Sequence, residues 1–207
     1  MNFNNSETWR MRFLTAIATT AFFVSVAANA EVALGDSHAP VTIVEYGSLT
    51  CSYCVRFHRE VLPLIQSRHI KTGKVRFIYR DFPTSTAATR GAIAARCAGP
   101  ERYYMMLDAL YAAVGTWSKA RDIEAALIRH AALLGVDAVM FRACLEDPKQ
   151  DANIRVQLRR AQLEYDVVGT PTFLINGSIV KGIRTIEEME LLIAAALQAH
   201  PNLPVSK

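Results

Sequence analysis

Only four of the 207 residues are cysteine and two are tryptophan, and basic residues exceed acidic ones by just four. Lys and Arg are scattered rather than gathered into a patch, so binding to nucleic acid is not expected. Two of the cysteines stand alone and no H-x-x-x-H pair accompanies them. The four-ligand set of a structural zinc site is therefore missing, and no metal or cofactor is expected. What remains is a chain that is 51% hydrophobic and 20% charged, suited to one large domain or a small domain carrying an insertion.

The first thirty residues read as an export segment. Arg10 and Arg12 precede an apolar run from Phe13 to Ala28, and Ala28-Asn29-Ala30 has the small-x-small form that signal peptidase accepts. A spanning helix needs about 20 residues, and this run falls short, so cleavage after Ala30 is favoured over an uncleaved anchor. Export would place the cysteines in an oxidising, periplasmic compartment.

Beyond Ala30, "EVALGDSHAP" reads as a polar lead-in, "VTIVEYGS" as a buried strand over 41–48, and "GKVRFIYRDF" as a turn and second strand over 73–82. Helix-like spacing of Val55, Val61, Leu62, Ile65 and Ile70 lies between them, with Pro63 expected to kink that helix. From Thr84 to Asp166 the chain turns Ala-rich with a 3.6-residue period, which predicts about five helices around a small core of their own. Tyr103, Tyr104, Met105 and Met106 are expected to line that core or a groove. Strand character returns at "VVGTPTFLINGSIVKG", where Asn176-Gly177 signals a hairpin. Thr185-x-x-Glu188 opens a last amphipathic helix as a capping box, and "PNLPVSK" reads as a loose tail.

The chemistry lies in "LTCSYCVRF", where Cys51 and Cys54 are three positions apart. A disulfide across one helical turn closes too small a loop to staple a fold. Cys51 follows a strand and a short connection, where the next helix should begin. Free amides and the positive helix end then favour a thiolate at Cys51. Cys54, one turn deeper, can resolve a mixed disulfide formed on Cys51.

The element order, "GDSHAPVTIVEYGSLTCSYCVRFH", the interposed helices and the late "VGTPTF" together resemble the DsbA-like branch of the thioredoxin superfamily, over essentially all of the chain after residue 30. The resemblance implies an α/β thioredoxin-like fold with an inserted all-helical subdomain. Its parts would be residues 31–83, the helical insert 84–166, and 167–207. It also implies that Pro171 is cis against the Cys51–Cys54 pair, with the Thr170 backbone open to an extended substrate chain and Ser52 and Tyr53 at the contact surface. In the family an acid at the place of Glu45 relays a proton for the buried cysteine, here Cys54; the alternative is a strand-end Glu reaching solvent. His58 matches the family's Phe-His pair, or is simply an exposed polar position. Between the cysteines, better-known members carry Pro-His. Ser52-Tyr53 has hydroxyls that can donate to the sulfur but no imidazole, so the Cys51 pKa is expected at roughly 4–6.

The function expected is a periplasmic thiol–disulfide oxidase acting on reduced exported proteins, reoxidised by a membrane quinone reductase of the DsbB type, and monomeric. The alternatives are a reductase or isomerase kept reduced, or a non-redox peptide-binding chaperone module. Cys97 and Cys144 make the cysteine count even, and in an oxidising compartment they are expected to pair as a structural disulfide.

Overall fold

The computed structural model describes Met1 and residues 31–199. The expected export segment, from residue 2 to its expected cleavage after residue 30, and the expected tail (201–207) lie outside the described residues. Five strands form one sheet in the order β1-β3-β2-β4-β5. They are β1 (Ala33–Leu34), β2 (Val41–Gly47), β3 (Val75–Asp81), β4 (Thr172–Ile175) and β5 (Ser178–Lys181). β2 and β3 run parallel, from Val41 opposite Val75 to Gly47 opposite Asp81. The other neighbours are antiparallel.

β1 corrects the polar lead-in expected there. Ala33 and Leu34 pair with Ile78 and Phe77. Two residues are too few to show an alternation, and the pairing comes from the neighbouring strand's free edge. The hairpin forms at Asn176-Gly177, with φ of 46° and 86°. Both residues lie in the left-handed region that a two-residue turn between twisted strands requires. Asn176 also accepts the Thr42 amide at 2.7 Å, which ties the turn to β2.

Parallel β2 and β3 need a crossover, and a helical stretch provides it. α1 (Ser52–Arg56) runs into a π-helical turn (Phe57–Val61), α2 (Leu62–Ile65) and a second π turn (Gln66–Ile70). Pro63 has no amide to give, and its ring crowds the preceding turn. The helix meets this by widening to longer-range hydrogen bonding just before the proline.

The insert holds α3 (Thr86–Cys97), a 3-10 turn (Pro100–Arg102), α4 (Tyr103–Ala112), α5 (Val114–Trp117), α6 (Ile123–Leu133), α7 (Ala138–Glu146) and α8 (Pro148–Tyr165). Short α5 exceeds the five helices expected. Ser85, Asp122 and Asp137 cap α3, α6 and α7 with their side chains. Thr185 and Glu188 close a reciprocal capping box on α9 (Ile186–Gln198).

A separate core for the insert is not what forms. Ile93, Met106, Leu110, Trp117 and Phe141 belong to the same buried cluster as Val41, Ile43, Phe57, Phe77 and Phe173. The crossover helix, α9 and the inward face of α4 pack on one side of the sheet, and α3 joins the same cluster, so the apolar surface of sheet and insert is buried together. Tyr103 and Met106 lie in that core, whereas Met105 points outward at 53% exposure. Val44, Tyr46, Ile78 and Leu174 occupy the opposite face with Ala161 and Val167. Strand alternation therefore sends Glu45 to the side covered by α1 and α4.

Candidate active site

β2 ends at Gly47, and Ser48-Leu49-Thr50 leads into α1. Leu49 is buried and anchors this connection. The Cys51 amide donates to the Ser48 carbonyl at 3.0 Å, and the Cys51 carbonyl accepts the Val55 amide at 2.9 Å. Cys51 is thus the N-cap residue of α1, with extended backbone angles of −80° and 121°. Its sulfur sits where the helix leaves amides unpaired. Cys54, one turn on, is fully buried, and both cysteines are free thiols.

Identical side chains in these two places acquire opposite acidities. A hydrogen bond from the Cys54 thiol, opposed by partial burial, draws the Cys51 pKa down to about 5, helped by Thr170 and the Cys54 and Tyr53 amides. Burial pushes the Cys54 thiol far up, and Cys51 and the Glu45 charge push the same way. Cys51 is the thiolate at neutral pH and Cys54 the thiol. The donors correct one expectation: no Ser52 or Tyr53 hydroxyl contributes among the described residues. Both side chains are exposed, and the Tyr53 ring lies 5.7 Å from the Arg56 guanidinium. The Cys54 thiol and the Thr170 side chain act ahead of the backbone amides, which the N-cap position aims at the sulfur as expected.

Thr170-Pro171 is a cis peptide bond, and the Cys51 sulfur lies 3.4 Å from the Thr170 carbonyl, to which it donates when protonated. Thr172 ties the loop back through its hydroxyl to the Gly169 carbonyl at 2.7 Å. Cys51, Thr170 and Pro171 therefore meet, although 119 positions separate Cys51 from Thr170.

Glu45 is completely buried, which removes the alternative of a strand-end acid reaching solvent. Its Oε2 is hydrogen-bonded to Nε2 of His58 at 2.8 Å. His58 is 7% exposed, so it is not an exposed polar position. Its ring stacks on Tyr111 with centroids 4.0 Å apart and meets Tyr79 edge-on at 5.6 Å. Tyr79 and Tyr111 share a hydroxyl hydrogen bond of 2.9 Å. Sequence reasoning left His58 undecided; its place one turn beyond Cys54, on the buried side of the helix, was the available signal.

Cys97 and Cys144 form a disulfide between α3 and α7, remote in sequence from the active pair. Among the described residues, no cluster of three or more His, Cys, Asp or Glu could hold a metal ion.

A thiolate cysteine at a helix start, a buried partner one turn on and a cis-proline loop beside the first define a DsbA-like protein of the thioredoxin superfamily, with helices inserted into the fold. A family model described as thioredoxin matches residues 27–195, and the chain belongs to that family. A proposed protein-disulfide oxidoreductase of Rickettsia bellii is 26% identical over 148 residues, covering 71% of this chain and 57% of that protein. One from Rickettsia conorii is 25% identical over 169 residues, covering 81% of this chain and 61% of the other. The chain thus spans about three-fifths of the length of these curated relatives. Among solved structures, Wolbachia pipientis alpha-DsbA1 superposes with a TM-score of 0.77 at 27% identity, over 84% of this chain and 94% of that one. Chlamydia trachomatis DsbA shares the fold at 20% identity and a TM-score of 0.73, over 93% of this chain and all of that one.

Proposed function

We propose that this protein is a thiol–disulfide oxidoreductase that passes a Cys51–Cys54 disulfide to reduced exported proteins. The observation that carries it is the opposed acidity of one cysteine pair, Cys51 drawn down to about 5 and Cys54 raised by burial. Attack by a substrate thiolate on Cys51 forms a mixed disulfide and frees Cys54, which takes a proton. A second substrate thiol then attacks the substrate sulfur of the mixed disulfide, closes the substrate's own disulfide and releases Cys51 as a good leaving thiolate. Stabilising that thiolate makes the disulfide oxidising, which supports oxidase over reductase. The Thr170 backbone beside Pro171 is the site where an extended substrate segment pairs, with Ser52 and Tyr53 at its edge. Glu45 handles the Cys54 proton.

The names of the rickettsial relatives and of alpha-DsbA1 support the same chemistry. The export reading belongs with it: cleavage after Ala30, action as a periplasmic monomer, and reoxidation by a DsbB-type membrane quinone reductase. So does the division into thioredoxin-like parts over 31–83 and 167–207 around a helical insert over 84–166.

The test is trapping during oxidative folding of a reduced secreted protein. Cys54→Ser should accumulate mixed disulfides with the substrate, and Cys51→Ser should not. The reverse pattern, or failure of the unaltered protein to speed disulfide formation, overturns the proposal.

A further inference from the structure

Burying both Cys54 and Glu45 creates a problem that the two residues alone do not solve. Each catalytic half-cycle changes the protonation of Cys54, yet Glu45 is itself closed off from solvent. A proton that reaches Glu45 must leave by another group. Glu45 Oε2 has its partner in His58 Nε2 at 2.8 Å, while Oε1 makes no hydrogen bond. His58 Nδ1, on the other side of the ring and itself buried behind the cleft wall, has no protein partner either. His58 lines a cleft of about 200 Å³, together with Arg59, Pro63, Gln66, Asp108 and Tyr111.

The geometry points to His58 as the proton outlet of the active site, joining buried Glu45 to the solvent-open cleft between α4 and the π turn of the crossover helix. This goes beyond the role given to Glu45, and it rests on thiol–disulfide exchange at Cys51 and Cys54. Imidazole suits the task because one nitrogen can take a proton as the other releases one. When Cys54 attacks the Cys51 sulfur of a mixed disulfide, a Cys54–Cys51 bond forms and the Cys51–partner bond breaks. The partner leaves as a thiolate. The Cys54 proton passes to the Glu45 carboxylate and then to His58 Nε2, and Nδ1 releases a proton to the cleft. Substrate oxidation runs the same path inward.

The groups facing the ring are consistent with this route. Glu45 comes from β2, Tyr79 from β3, and Tyr111 and Asp108 from α4, with Arg59 adjacent on its own turn. The two tyrosines hold the plane of the ring, and burial keeps their hydroxyls protonated. Asp108, exposed at the rim, has its carboxyl raised by partial desolvation, offset in part by nearby His58. It stands where a proton leaving the ring meets water. His58 is a positioning residue in this scheme, acting on Cys54 through Glu45.

The decisive measurement is the first-order release of glutathione from a Cys51–glutathione mixed disulfide, followed against pH. This closure requires Cys54 to lose its proton and needs no protein substrate. The relay and the oxidase proposal can therefore fail separately. His58→Gln keeps a hydrogen-bonding group beside Glu45 but cannot pass a proton through. It should slow closure by tenfold or more, leave Cys51 alkylation by iodoacetamide within twofold, and flatten the pH profile. His58→Ala should be slow too, and free imidazole should restore its rate in proportion to concentration. Asp108→Asn, at the exposed rim, should slow closure by a smaller factor. Should neither His58 variant fold, Asp108→Asn and the solvent deuterium effect on the unaltered protein decide the matter. Closure at the unaltered rate in folded His58→Gln, equal slowing of alkylation, or no imidazole response overturns the outlet. So does an unchanged Asp108→Asn rate combined with no deuterium effect.

Discussion

The opposed acidities of Cys51 and Cys54 fix how the reduction potential should respond to pH. Cys51 titrates near 5 rather than at its ordinary 9.0, whereas Cys54 is pushed above that ordinary value. Between about pH 5 and 9, reduction therefore adds two electrons but only one proton, giving Cys51 thiolate and Cys54 thiol. Each proton taken up multiplies the equilibrium constant tenfold per pH unit, and tenfold is about 30 mV for a two-electron couple. The potential should fall by about 30 mV per pH unit across that window. Below pH 5 Cys51 binds a proton as well, and the slope should double to about 60 mV. The sign follows from linkage: a depressed folded pKa stabilises the reduced folded form fully above pH 9, and that gain is lost as pH falls through about 5. Glutathione redox titrations across a pH series, with both cysteines quantified by alkylation, read the slopes directly. A uniform slope of about 60 mV through neutral pH would refute the assignment, because it would mean that both sulfurs are protonated there.

Three further outcomes follow from particular contacts. Cys54→Ala removes the first contributor to the Cys51 shift, a charge-assisted hydrogen bond worth about 1.5–3 kcal/mol where buried; solvent screening at half-exposed Cys51 favours the lower end. The Cys51 pKa should rise by about one unit, and by less in Cys54→Ser, as read by thiolate absorbance against pH; no change in either variant contradicts the account. Gly47→Ala places a Cβ 2.4 Å from the Tyr79 ring and should destabilise the fold by about 1–3 kcal/mol in denaturant titration. Replacing Cys97 and Cys144 by Ala together opens a loop spanning 47 positions and should lower stability by about 4 kcal/mol without moving the Cys51 pKa.

Legibility in the sequence followed the range of the forces involved. The Asn176-Gly177 turn and the Thr185–Glu188 box are local, set by a few backbone angles and short hydrogen bonds, and both could be read from four or five letters. β2 and β3 showed themselves through β-branched apolar runs. β1 did not, because two residues carry no period and their strand state depends on the β3 edge. The acidity of Cys51 was anticipated from its place at a helix start and the amides freed there, but the Cys54 thiol, the largest contributor, and the Thr170 side chain were not foreseen as donors. Amide direction is a property of the N-cap geometry, not of side-chain type. His58 was hardest. Its place one turn beyond Cys54 points to the buried side of the helix, but its setting is made by distant residues, Glu45 on β2, Tyr79 on β3 and Tyr111 on α4.

That setting depends on a strand alternation that is unforgiving. Glu45 and Gly47 lie two positions apart on β2 and share the face covered by α1 and α4. A slip of one residue would turn Glu45 towards Ala161 and Val167 on the opposite side, away from Cys54 and His58. The bare Cα of Gly47 lets the Tyr79 ring close down beside Glu45 Oε1, since an added Cβ would meet both at 3.0 Å or less. Tyr79 in turn bonds Tyr111, and Tyr111 stacks on His58. A missing side chain at the end of the strand thus fixes the plane of an imidazole, whose nitrogen meets the buried Glu45 carboxyl. Gly47→Ala should therefore disturb more than stability. It should also slow glutathione release from the Cys51 mixed disulfide, while Cys51, held by its own helix amides, alkylates at an unchanged rate.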